Sequence, residues 1–279
     1  MTEIHIDSLL PAEMAKRAED IGVSKAKAGP LKVLFLAILA GAFIALGAIF
    51  STTVGAGAAG TLPYGVTRLL TGLAFCLGLI LVVVGGAELF TGNNLIVMAW
   101  AGRKVTTRQL LRNWGVVYIG NFIGAFGTAI LLYASGQYTF GGGLVGQAAL
   151  GIAAAKVSLG FWQALVLGIL CNALVCLAVW LTFSARTTVD KILAIIFPIT
   201  AFVAAGFEHS IANMYFIPLG LLIKAFDPVF TASAGLELTR LTWGNFFVAN
   251  LIPVTIGNVI GGTLLVAAIY WLIFLRKPA

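Results

Sequence analysis

Gly206-Phe207-Glu208-His209-Ser210-Ile211-Ala212-Asn213 places a carboxylate and an imidazole inside an otherwise apolar run that extends from Ile192 to Ile223. A charged side chain at the centre of a membrane helix costs about 2.5–3.5 kcal/mol on insertion scales, so packing alone does not account for either group. Gly206 supplies a residue that leaves helical geometry readily. The stretch reads as a helix that breaks near the bilayer midplane, with Glu208 and His209 lining the break.

Composition supports that setting. The chain has 279 residues, of which 60% are hydrophobic and only 10% charged, with a mean hydropathy of +1.04. Soluble domains carry roughly a quarter charged residues, so this is a polytopic membrane protein. Cys76, Cys171 and Cys176 all lie in apolar runs, which reads as buried thiols rather than a disulfide framework or a metal set. The first apolar run starts at Val33 and is longer than a signal-peptide core, so it reads as a retained span.

A helix needs about 20 apolar residues to cross the hydrocarbon core. Six spans fit. The first covers about Leu31 to Val54, and the second starts near Arg68 and meets Gly85-Gly86-Ala87-Glu88. The third covers about Leu111 to Tyr133 and the fourth about Leu159 to Phe183. The fifth begins at Ile192 and meets Gly206, and the sixth runs from about Phe246 to Leu275.

The charges then set the orientation. An even number of spans puts both termini on one side, with Lys16, Arg17, Lys25, Lys27, Lys32, Arg103, Lys104, Arg108, Arg112, Arg186, Lys191, Arg276 and Lys277. The other side holds only Arg68, Lys156, Lys224 and Arg240. Thirteen against four is a positive-inside bias, so both termini are expected in the cytoplasm. The net charge of +7 thus reports orientation, and no nucleic-acid partner is expected.

Residues 1–30 form a separate cytoplasmic segment, and residues 31–279 the transmembrane unit. Pro11 suits the first turn of a helix and Gly22 the position just past its end. Leu10, Met14, Ala18 and Ile21 share one face of it. That helix is expected to lie along the membrane surface or on the cytoplasmic face of the bundle.

The chain also repeats itself. Gly86-x-Glu88 with Asn93 matches Gly206-x-Glu208 with Asn213 at identical spacing. Asn113 followed by Gly120-Asn121-x-Ile123-Gly124 matches Asn250 followed by Gly257-Asn258-x-Ile260-Gly261. Upstream, Leu36, Ile38, Leu39, Ala42 and Leu46 align with Leu167, Ile169, Leu170, Ala173 and Leu177. Two copies of three spans, about 31–135 and 157–275, run in opposite directions, and such repeats place a site at the midplane between interrupted helices. Small residues in the Gly-Asn-x-Ile-Gly segments let helices approach closely. Thr91-Gly92-Asn93-Asn94 reads as a cap opening a second half-helix, and Ser210 is placed to do the same. The ends of the half-helices favour an anion. Glu88 and Glu208 are expected to accept hydrogen bonds from amides freed at each break; an alternative role for Glu208 is to set the protonation of His209.

Ala87-Glu88-Leu89-Phe90-Thr91-Gly92-Asn93 and Phe207-Glu208-His209-Ser210-Ile211-Ala212-Asn213-Met214 resemble the paired signatures of the formate/nitrite transporter family, and most closely those of its formate channel branch. The resemblance covers essentially the whole chain. It implies an all-α membrane protein of six helices, aquaporin-like, with interrupted second and fifth helices, assembled as a homopentamer in the cytoplasmic membrane. It implies a pore for small monovalent anions, formate first, with nitrite and hydrosulfide taken by sister branches, and no cofactor. Carried over by residue, His209 and Thr91 are the polar pair at the central constriction, with Asn172 a neighbouring donor. Phe75, Leu79 and Phe202 form the apolar constriction on the extracytoplasmic side; Leu89, Phe90 and Val175 form the cytoplasmic one. Lys156 attracts anions at the extracytoplasmic mouth, and Glu88, Asn93, Glu208 and Asn213 support the breaks.

On this reading an anion enters under positive potential, and His209 stabilises it as imidazolium or protonates it, so that a neutral acid crosses the apolar ring. Two alternatives remain. A water or glycerol pore is disfavoured because the breaks carry Glu and His in place of Asn-Pro-Ala boxes. An integral-membrane enzyme is disfavoured because Glu88, Glu208 and His209 show no metal-ligand spacing. No phosphate-binding Gly-rich loop points to an attached ATPase.

Overall fold

The computed structural model describes residues 8–276; residues 1–7 and 277–279, and with them Lys277 of the charge pattern, lie outside the described residues. Every regular element among the described residues is helical. In chain order they are α1 (Pro11–Lys27), α2 (Pro30–Gly55), α3 (Tyr64–Gly85), a 3-10 turn (Gly92–Ile96) leading into α4 (Val97–Ala101), and α5 (Thr107–Ala134). There follow α6 (Leu144–Val157), α7 (Phe161–Ser184), α8 (Thr188–Ala204), α9 (Ser210–Phe226) and α10 (Pro228–Ser233). The last helix, α11 (Trp243–Phe274), contains two widened π segments, Phe246–Leu251 and Gly261–Ala268.

Helices α2, α3, α5, α7 and α11 are long and apolar enough to cross a membrane. The expected second and fifth spans are both interrupted. After α3 the chain resumes helical form only at Gly92, and α8 stops at Ala204 before α9 starts at Ser210. Between the expected third and fourth spans stands α6, an apolar helix of 14 residues that the hydropathy spans do not include. At 1.5 Å per residue it is about 21 Å long, too short to span by itself.

The amino-terminal helix differs from expectation. It passes through Gly22 and continues to Lys27, stopped by Gly29-Pro30 at the start of α2. Gly22 is interior because the helix there lies against Ala99 and Ile96, where a side chain would crowd both. Leu10, placed on one face with Met14, Ala18 and Ile21, is exposed just before the helix starts; the buried residues are Met14, Ala15, Ala18, Glu19, Gly22 and Ala26. Those residues pack with Leu95, Ile96 and Met98, so α1 is seated on the protein. Lys104 Nζ closes the contact on the Glu19 carboxylate at 2.5 Å.

Helix α2 packs on α3 and α5, α7 packs on α8 and α11, and α3 lies along α8. The repeated Gly-Asn-x-Ile-Gly segments make the two closest crossings. A Cβ at Gly124 would overlap the Ile38 carbonyl, and one at Gly261 would overlap the Ile169 carbonyl. At the far end of α6, Asp227 accepts from Phe230 N–H (3.0 Å) and Tyr138 O–H (2.8 Å). These two bonds hold its carboxyl below the usual carboxylate range, and the shared proton pushes Tyr138 up to about 12.

Because the obstacle at Gly124 is backbone, it cannot swing aside. Gly124→Ala is expected to destabilise by about 2–3 kcal/mol, at the upper end of overpacking costs. Melting of the purified protein in detergent checks this, with Gly115→Ala, which meets nothing within 4 Å, as the control that melts like the parent.

Candidate functional site

Two breaks of the same construction meet in the interior. Gly86 (φ +79) and Gly206 (φ +76) both take the left-handed conformation that terminates a helix. Ala87 N–H then returns to Val82 O (2.9 Å), and Phe207 N–H to Phe202 O (3.0 Å). The next freed amides go to neighbouring helices, Glu88 N–H to Leu36 O and Glu208 N–H to Leu167 O.

Asparagine side chains take one further amide and two carbonyls at each break. Asn121 Oδ1 accepts from Phe90 N–H (2.9 Å), while its Nδ2 donates to Ala37 O (2.7 Å) and Glu88 O (2.9 Å). Asn258 repeats the pattern: Oδ1 accepts from Ser210 N–H (2.9 Å), and Nδ2 donates to Gly168 O (2.8 Å) and Glu208 O (2.9 Å). The expected role of the carboxylates at the amides is therefore corrected, because these asparagines already occupy them.

Glu88 and Glu208 are bound instead by side chains. Glu88 accepts from Lys25 Nζ (2.9 Å) and Asn93 Nδ2 (2.7 Å). Asn93 Nδ2 also reaches Asn113 Oδ1 (2.9 Å), and Asn113 Nδ2 donates to Lys25 O (3.2 Å). Glu208 accepts from Lys156 Nζ (2.7 Å), Asn213 Nδ2 (2.7 Å) and Asn250 Nδ2 (3.1 Å). Asn213 Nδ2 reaches Asn250 Oδ1 (2.7 Å), and Asn250 Nδ2 donates to Lys156 O (2.9 Å). Lys156 is thus no lone cation: it is paired with Glu208 and lies 5.5 Å from the centre of the Phe216 ring.

Between the breaks Thr91 Oγ1 and His209 Nε2 are 2.9 Å apart, both buried. His209 is the N-cap of α9, its Nδ1 accepting from Ala212 N–H at 3.1 Å. The cap expected of Ser210 is therefore made by its neighbour. An amide N–H can only donate, so Nδ1 carries a lone pair, the ring proton sits on Nε2, and Nε2–H donates to Thr91 Oγ1. Thr91 makes no side-chain cap; its own hydroxyl proton is left to point elsewhere. Asn172, expected as a free donor beside this pair, spends its Nδ2 on Thr91 O (3.3 Å), Asn94 Oδ1 (2.9 Å) and Asn258 O (2.7 Å). It fixes the backbone of Thr91 rather than facing a ligand with that group.

Cavities flank the waist. One of ≈ 280 Å³ lies under α1, lined by Ile21, Lys25, Leu79, Glu88, Leu89 and Asn93 among others. The other, ≈ 510 Å³, is lined by Arg68, Phe75, Lys156, Phe202, Glu208 and His209 among others. Leu79 lines the cavity under α1 together with Leu89, one helical turn beyond Phe75 toward the first break. Phe75 and Phe202 meet edge to face at 5.6 Å. Phe90 and Val175 line neither cavity. The Phe90 ring packs on Tyr118 (4.9 Å) and Trp114 (6.0 Å), and Val175 is buried in the core.

Sequence reasoning noted Asn113, Asn121, Asn250 and Asn258 as a repeat but gave them no work, and it missed Lys25 and Arg68 as site residues. A signal for Lys25 existed: the offset of 131 residues that lays Leu36 on Leu167 also lays Lys25 on Lys156.

Known proteins share the sequence and fold of this chain. The family model described as formate/nitrite transporter matches residues 12–272. The formate channel FocA of Escherichia coli (strain K12) is 49% identical over 275 residues, covering 97% of this chain and 96% of that protein. The probable formate transporter of Methanothermobacter thermautotrophicus is 40% identical over 282 residues, covering 96% and 97%. A solved structure described as a pentameric formate channel with formate bound superposes with a TM-score of 0.80 at 45% identity, covering 88% of this chain and 98% of that one. This multi-pass, all-helical membrane protein belongs to the formate/nitrite transporter family.

Proposed function

We propose that the protein is a formate channel: it conducts formate through a pore formed by the two cavities and the Thr91–His209 waist between them. The observation that carries the reading is the Thr91–His209 pair, hydrogen-bonded to each other at 2.9 Å and buried between two chambers, in a chain 45% identical to a channel with formate bound. The finer arrangement we infer is six spans as two inverted three-helix repeats, with residues 1–30 and both termini on the cytoplasmic side of the cytoplasmic membrane. The pentamer named for the solved relative supports a pentamer here.

On that orientation Phe75 and Phe202 narrow the extracytoplasmic side. Leu79 and Leu89 narrow the cytoplasmic side, backed by Phe90 and Val175. Lys156 and Lys25 stand at corresponding stations of the two chambers. Each is paired with a glutamate, so each holds an ordered polar wall with little net charge, and the positive end of α9 adds to the attraction for an anion.

A bare carboxylate crossing two apolar rings loses hydration worth several kcal/mol, whereas a charge-assisted hydrogen bond returns about 1.5–3 kcal/mol. Thr91 and His209 together therefore hold formate at the waist but do not carry it through the rings as a fully charged ion, which favours passage with a proton. His209 gains a second proton only by releasing Ala212 N–H from Nδ1, so its role as a proton donor is coupled to the first turn of α9. An enzymatic reading is weaker, since Glu88 and Glu208 are each held by a lysine and amide side chains rather than standing free as acid or base.

His209→Asn keeps an acceptor for the Ala212 amide and removes Nε2–H. In proteoliposomes, formate uptake by this variant is expected to fall about tenfold at every pH between about 5 and 8, about 1.4 kcal/mol at the barrier. An unchanged rate would remove His209 from the mechanism. For the parent, formate uptake is expected to exceed that of nitrite and hydrosulfide; nitrite moving faster would shift the assignment within the family.

A further inference from the structure

We propose that Arg68 is a specificity-determining positioning residue: its guanidinium clamps the last turn of α8 and so fixes the aperture that Phe202 makes with Phe75 and His209. This rests on the conduction reading above for its transport consequences, but its structural content stands apart from that reading.

Arg68 lies early in α3, and α3 runs along α8 so that this end meets the α8 carboxyl terminus. Its Nε donates to Ala204 O at 2.9 Å, and its Nη2 donates to Val203 O. Helix ends leave their last carbonyls without intrahelical partners and carry a partial negative charge, so a cation with two parallel donors suits them. Phe202, next in the chain, gives its own carbonyl to Phe207 N–H at 3.0 Å. Three successive carbonyls are thereby held at the point where the second break begins. The Phe202 ring on this turn stands 5.6 Å from Phe75, edge to face, and 5.9 Å from His209. A shift of the turn would move the ring that narrows the chamber.

The first break has no such clamp. The corresponding carbonyls, Val83 and Val84, receive no side-chain donor among the described residues. The apolar ring on the α1 side is formed by leucines on backbone held by its own asparagine, whereas the aromatic ring on the α6 side also depends on Arg68. Because a guanidinium spans two carbonyls and an ammonium cannot match that fork, the proposal separates hydrogen-bond geometry from charge.

The test compares the parent with Arg68→Lys, Arg68→Gln and Arg68→Leu in proteoliposomes, measuring uptake of formate against acetate and lactate. A shaped apolar site discriminates one methyl-sized group by roughly 10–200-fold. Arg68→Leu and Arg68→Lys are expected to lower the formate-to-acetate ratio at least about fivefold, a large part of a discrimination of that size, with Arg68→Gln between them and the parent. If Arg68→Lys keeps the parent ratio while Arg68→Gln and Arg68→Leu merely slow all anions alike, Arg68 acts as a charge and the proposal is overturned. Hydrogen–deuterium exchange of amides 203–209 in the purified proteins provides the second readout. Faster exchange in Arg68→Lys supports the clamp, and unchanged exchange overturns it, even if the parent moves no formate; Arg68→Lys also decides the matter if Arg68→Leu does not fold.

Discussion

Backbone that leaves helical form at membrane depth must find all of its hydrogen bonds within the protein, because the hydrocarbon offers none. Both breaks in this chain answer that constraint with the same device. A glycine in the left-handed conformation ends the helix, and an asparagine from a neighbouring helix then takes the loose amide with its carbonyl oxygen and two carbonyls with its amide nitrogen. Asn121 and Asn258 reach the breaks because Gly124 and Gly261, each three residues further on, let the helix backbones touch. Close crossing and satisfied break are thus one feature of sequence, carried by Gly-Asn-x-Ile-Gly.

The carboxylates are governed by a related rule. A buried charge is tolerated when paired and hydrogen-bonded, and breaking such a pair costs more than the pair contributes. Glu88 and Glu208 each gather donors from separate elements: Lys25 from α1 and Lys156 from α6, together with asparagines. Lys25 therefore ties α1 to the floor of the cavity above it. That contact explains why the amino-terminal helix extends past Gly22, since only a helix continuing in register brings Lys25 over Glu88.

Much of this was legible in the sequence. Hydropathy located the long helices, and the Gly-x-Glu and Asn spacings located both interruptions; the pairing of Thr91 with His209 came only from the family resemblance. What was not legible was partner choice. Nothing in the one-dimensional pattern says that Asn172 turns its nitrogen to the backbone of Thr91 and not to a ligand, because an amide in an apolar run wants a partner of either kind. The surroundings of Phe90 and Leu79 were not legible for a similar reason. Family likeness assigns a residue type to a ring, but its direction depends on the helix phase and on Tyr118, Trp114 and α1 nearby. Helix α6 escaped because it is too short to register as a span, although it carries Lys156.

The two halves agree in their supports and differ where the chemistry is proposed to occur. At matching spacing from each glutamate, Leu89 answers to His209, Phe90 to Ser210 and Thr91 to Ile211. One break thus offers an imidazole and the other a hydroxyl, and the 2.9 Å contact between them joins positions that differ between the two halves. Had both kept histidine, the waist would hold two rings competing for one proton. Had both carried threonine, it would lack a ring that caps α9 with one nitrogen and reaches across the waist with the other. The shared lysine–glutamate–asparagine sets hold the backbone in a symmetric frame, and that frame leaves three central positions free to become unlike.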